Sequence, residues 1–95
     1  MTRILKYHLT ADFGKHSIDI PGLIDALSVK TQNDSIVLYA LVDESNSEVG
    51  TIKYINFATG SEYSASNKEE GYAYCKTSML CGGRLVVHTF VQIGE

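Results

Sequence analysis

No apolar run in this sequence approaches the ~20 residues that a membrane-crossing helix requires. Near the N-terminus the apolar residues are interrupted by Arg3, Lys6 and His8, so neither a membrane span nor a signal peptide is expected. Basic charge is scarce: 8 Lys and Arg stand against 11 Asp and Glu, giving a net charge of −3, and the basic residues are scattered. Gripping a phosphate backbone takes a concentrated positive face, so double-stranded nucleic acid is not an expected partner. Cysteine is limited to Cys75 and Cys81, which fall several residues apart along one predicted strand and cannot easily bridge; two free thiols in a reducing cytosol are expected. The three histidines, His8, His16 and His88, share no HxH or HExxH spacing, so no metal site is expected. There is no GxSxG elbow and no protease-type cysteine context, and Asp43-Glu44 lacks the further spaced oxygens of a calcium loop. These gaps argue against an enzyme and against a cofactor. A helical period is also hardly present.

Strand patterns fill the chain instead. With 95 residues and 44% hydrophobic content it fits one small domain, 1–95, burying about 60–65% of its unfolded surface. Ile4 to Leu9 alternates, with Leu5, Tyr7 and Leu9 on one side, and His16 to Ile20 alternates again before stopping at Pro21-Gly22. Leu23 onward reads as a short turn and then a strand from Ala26 to Thr31. Gln32-Asn33-Asp34-Ser35 supplies hairpin chemistry into Ile36–Val42, a run apolar at every position and therefore expected to be central. Asp43 to Glu48 is loop-like. In Gly50 to Ala58 the apolar parity changes between Ile52/Tyr54 and Ile55/Phe57, which predicts a bulge. Ser61 to Gly71 is the longest polar stretch and reads as a mobile loop. Tyr72–Met79 and Leu85–Val91 form the last hairpin. Seven short strands of this kind predict an all-β fold, a small antiparallel β-sandwich or flattened barrel with at most one short helical turn.

The last hairpin poses a problem of cover. With Gly82-Gly83 as its loop, Cys75 opposes Phe90, Thr77 opposes His88 and Met79 opposes Val86 on one face, while Tyr74, Ser78 and Leu80 oppose Val91, Val87 and Leu85 on the other. Both faces carry large apolar groups, and a two-layer domain ordinarily keeps one side of each sheet wet. A partner subunit, the N-terminal strand or the turn after Pro21 are the candidate covers, and a homo-oligomer is expected.

Phe57-Ala58-Thr59-Gly60-Ser61-Glu62-Tyr63 is the best candidate ligand loop. A small-residue turn after a strand exposes N–H groups and hydroxyls suited to a phosphate or a base edge. Thr59, Gly60 and Ser61 are its candidate contacts, with Tyr63, Tyr72 and Tyr74 as stacking surfaces and Lys53 or Arg84 as charged helpers. His88, opposite a threonine inside an apolar strand, reads first as a hydrogen-bonded structural histidine and second as a ligand contact.

ILKYHL, IDIP, LSVKTQNDSIVLYALVD and the ending GGRLVVHTF together resemble a family of short, functionally uncharacterised proteins of phages and prophages. The likeness spans nearly the whole chain. The family's G-T-G-H loop is matched here by Ala58-Thr59-Gly60-Ser61 only in its Thr-Gly pair, whereas His88 matches the histidine of the family's ending. The resemblance implies a phage protein working in the cytoplasm of the infected bacterial host. Small acidic phage proteins without catalytic motifs often neutralise host defence. The expected function is a homo-oligomeric sponge for a nucleotide-derived immune signal, such as a cyclic nucleotide or an ADP-ribose derivative. The alternatives are a protein-binding inhibitor of a defence effector, of the anti-CRISPR kind, or an accessory or structural phage protein.

Overall fold

The computed structural model describes residues 1–92. Seven strands lie in two antiparallel sheets, as the patterning predicts: β1 (Thr2–Leu9), β2 (Gly14–Pro21), β3 (Leu23–Gln32), β4 (Ser35–Asp43), β5 (Val49–Ala58), β6 (Tyr72–Leu80) and β7 (Leu85–Gln92). One sheet has the order β1-β4-β3 and the other β2-β5-β7-β6. Between them lies one apolar cluster that includes Leu9, Ile20, Val29, Leu38, Val42, Ile52, Tyr54 and Val87. β4 is the middle strand of its sheet, and Ile36, Val37, Leu38, Ala40 and Val42 are all buried, so the continuous apolar run marks a central strand.

The turns follow from backbone sterics. Asn33 and Asp34 both have positive φ, 49° and 62°, and form the two-residue loop between β3 and β4 that a primed hairpin turn demands. Gly22 is the whole connection between β2 in one sheet and β3 in the other. Its φ is +71°, and a Cβ there would sit 2.2 Å from the carbonyl oxygen of Asp43, so no other residue fits.

Three local expectations fail, each for a physical reason. The predicted turn at Leu23–Asp25 is strand, and β3 begins at Leu23; two bulges, between Leu23 and Asp25 and between Ala26 and Ser28, turn Ile24 and Leu27 outward and break the alternation that would have marked it. The bulge predicted in β5 does not exist, since its pairings with β2 and β7 show no register shift. Its parity changes because Ile55 is buried on the outer face, the side away from the core, while Ile52 and Tyr54 are buried on the inner face. The real bulge of this sheet lies in β6 at Cys75. From Leu80↔Leu85 to Lys76↔Thr89 the hairpin register is as predicted; beyond the bulge Tyr74, not Cys75, opposes Phe90, and Ala73 takes the place opposite Val91. Tyr74 therefore joins the outer face. The loop itself comprises Cys81 to Arg84, with Cys81, Gly82 and Gly83 all at positive φ.

What covers the second apolar face is a consequence of topology. β7 stands between β5 and β6 and is antiparallel to both, so β5 and β6 run parallel and the chain must travel the length of the sheet to connect them. This crossover, residues 59–71, lies on the outer face and contains one helical turn, α1 (Ala65–Glu69), within the stretch expected to be a mobile loop. Tyr63 packs 5.5 Å from Phe57 and 5.1 Å from Phe90 between ring centroids, and the carbonyl of Glu70 accepts a 2.9 Å hydrogen bond from the Gln92 side-chain amide. Ile55 and Tyr72 are buried beneath it. The chain itself thus supplies the cover expected from a partner, the N-terminal strand or the Pro21 turn, except around Tyr74 and Met79, which are 59% and 67% exposed.

Candidate functional site

Where the crossover leaves β5, it frames a groove of about 280 Å3 on the outer face, lined by Phe57, Thr59, Gly60, Ser61, Tyr63, Tyr74, His88 and Phe90. Outward parity delivers Phe57 from β5 and His88 and Phe90 from β7, because Phe57 pairs with His88 and Ile55 with Phe90. The β6 bulge delivers Tyr74. The Ala58–Ser61 turn delivers the rest: the Ala58 carbonyl accepts a 3.1 Å bond from the Ser61 N–H, and Gly60 at φ +89° occupies the third position, the signature of a type II turn. The Ser61 hydroxyl donates to the same carbonyl.

Two features define the groove chemically. The first is a nest of four aromatic rings, Phe90 with Phe57, Tyr63 and Tyr74 around it at centroid distances of 5.5, 5.1 and 5.7 Å. The second is a chain of hydrogen bonds through His88. Its Nε2 lies 2.8 Å from the Thr59 hydroxyl and its Nδ1 3.1 Å from that of Thr77, which in turn lies 2.7 Å from the Tyr74 hydroxyl. A neutral imidazole has one donor and one acceptor nitrogen, and rotatable hydroxyls satisfy either arrangement. His88 is thereby fixed in plane, as a structural histidine would be, while forming part of the groove wall. The group that orients its Nδ1 is the Thr77 hydroxyl, where a nucleophile–base dyad would place a carboxylate.

Six of the nine residues singled out in the sequence converge here: Thr59, Gly60, Ser61, Tyr63, Tyr74 and His88. Three do not. Lys53 and Tyr72 line a separate concavity, with Lys15, Ser17, Glu70 and Gln92, where the crossover returns to β6. Arg84 lies in the β6–β7 turn, its Nε donating to the Cys81 carbonyl at 3.3 Å. Neither cation reaches the groove because strand direction separates them: Lys53 is four residues from Phe57 along β5, and Arg84 precedes β7. Phe90 is a groove residue that the sequence reading did not select, and Phe57, which opens the candidate loop, was not among its expected contacts. Their outward parity with His88 was the available signal.

Among the described residues, no group of three or more His, Cys, Asp or Glu side chains is placed to hold a metal, and both cysteines are free. No described helix is long and apolar enough to cross a membrane. No curated protein and no solved structure shows a significant match to the chain. One family model does match, over residues 1–95, and on that coverage the chain belongs to the family described as a domain of unknown function, DUF7352.

Proposed function

We propose that this protein is a non-enzymatic, homo-oligomeric binding protein of phage type that sequesters a nucleotide-derived immune signal in the cytoplasm of an infected bacterium. The observation that carries this reading is the convergence of four aromatic rings, the Thr59-Gly60-Ser61 turn and a hydrogen-bonded histidine on one groove. Aromatic faces stack on any nucleobase, at about 1–3 kcal/mol per base, and turn hydroxyls read its polar edge. Tyr74 in the groove wall and Met79 on the same face of β6 are exposed, and a second copy seated on that face would cover both. Calorimetry against a panel of cyclic nucleotides and ADP-ribose derivatives is expected to give saturable binding of at least one, with the ligand recovered intact. Phe90→Ala is expected to weaken that binding about tenfold or more. No heat from any member of the panel would overturn the reading.

A second reading, an inhibitor that binds a host defence protein, is favoured by the exposed Ile24 and Leu27 on the β3 bulges, since scattered polar rims around apolar residues suit protein contacts. Native mass spectrometry separates the two: an oligomer with a carried-through adduct supports the sponge, a bare monomer the inhibitor.

A further inference from the structure

We propose that the outer face of the four-stranded sheet holds a second ligand site, a phosphoryl-binding pocket built from Lys15 and Ser17 of β2, Lys53 of β5 and Tyr72 of β6. These residues line one concavity at the end of the crossover remote from the aromatic groove. Ser17 pairs with Lys53, and Lys15 with Ile55, so two adjacent strands place both ammonium groups and a hydroxyl on one side.

Tyr72 is the observation that makes this a built site. The residue is only 5% exposed, packed beneath the crossover. The ring lines the concavity, and its hydroxyl has no hydrogen-bond partner among the described residues. A largely buried tyrosine that lines a concavity together with two lysines has its donor free for a ligand. All four groups donate and two carry positive charge, a set that matches the oxygens of a phosphate. Among the described residues one carboxylate lines the pocket: Glu70 pairs with Lys15 at 3.4 Å. It neutralises part of the field and must give up Lys15, or share it, when an anion enters. Lys53 has no ion-pair partner among the described residues.

The pocket goes beyond the reading of the aromatic groove and stands whether or not that groove takes a base. The test is titration of the full chain with inorganic pyrophosphate, followed by amide NMR shifts, with a nucleoside diphosphate as a second arm. Saturable shifts at Lys15, Ser17, Lys53, Tyr72 and Gln92 are expected. Lys53→Met and Tyr72→Phe are each expected to weaken binding, by about tenfold and about threefold, at unchanged melting temperature, and Glu70→Gln to tighten it several-fold. Equal affinity in both arms assigns the site to a free phosphate; tighter nucleotide binding with added shifts at Phe57 and Phe90 assigns it to the phosphoryl end of one ligand spanning both sites. Absence of saturable shifts at about 10 mM pyrophosphate, or wild-type affinity in Lys53→Met, would overturn the proposal.

Discussion

At the scale of single residues, the tightest constraint is the space around Gly22. Its N–H donates to the Glu48 carbonyl at 2.7 Å and its own carbonyl accepts from Asp43 at 2.8 Å, so the corner is clamped by the β4–β5 loop on both sides. Gly22→Ala would add a Cβ against that loop at a left-handed φ, and the expected loss is about 3 kcal/mol or more, measured by urea unfolding. Asn56 is the second such point. It is buried on the inner face, where its amide donates to the carbonyls of Thr10 and Asp12, both at 2.8 Å, and its Oδ1 accepts from Thr89 at 2.8 Å. Asn56→Ala leaves three partners without their bond, of which Thr89 is fully buried, and is expected to cost about 1–3 kcal/mol, measured by urea unfolding. Asp43 gives a pH signature. The hydroxyl of Ser45 first, then its backbone N–H, hold the Asp43 carboxyl below its ordinary range. A carboxyl with a depressed folded-state pKa contributes stability that is full above its unfolded value and is lost as pH falls through the folded one. The acid limb of the stability curve below about pH 4 should therefore be shallower in Asp43→Asn, as read by urea midpoints across that range.

Elements were legible where one physical rule governed them. β1, β2 and β4 announce themselves by alternation or by an unbroken apolar run, and the Asn33-Asp34 turn by its tolerance of positive φ. The β6–β7 register was readable outward from the glycine pair as far as Lys76↔Thr89, and most of the groove with it. What escaped were bulges and the crossover. A bulge inserts one residue and inverts every side chain after it, and nothing in Ala73-Tyr74-Cys75-Lys76 marks the insertion. The crossover escaped because its position follows from the order β5-β7-β6, a long-range fact that no local pattern carries. Cys75 tests the bulge directly. The thiol edges into the cleft between β3 and β6, and desolvation raises its pKa, opposed by the charge of Lys76. The rate–pH profile for iodoacetamide alkylation of Cys75, in a Cys81→Ser background, is expected to have its midpoint above that of a small free thiol.

For the molecule as a whole, the two sheets are stitched by polar ties as well as by the apolar core. The Thr31 hydroxyl donates to Ser78 across the layers at 2.8 Å, and the Tyr54 hydroxyl accepts from the Thr10 N–H at 3.0 Å where the chain passes between sheets. Met79→Lys is expected to abolish the proposed association through Tyr74 and Met79 without loss of fold, with sedimentation reading the assembly state and circular dichroism the strands.

The position of β7 between two parallel neighbours has a kinetic meaning. Until that segment arrives, β5 and β6 face each other across a vacancy one strand wide, roughly 10 Å from backbone to backbone, with both rows of amides unclaimed. A polypeptide cut after Gly83 would keep this slot, and a synthetic peptide of residues 84–92 added in trans should lodge there as a guest, so that the protein can be split and reconstituted at the hairpin turn.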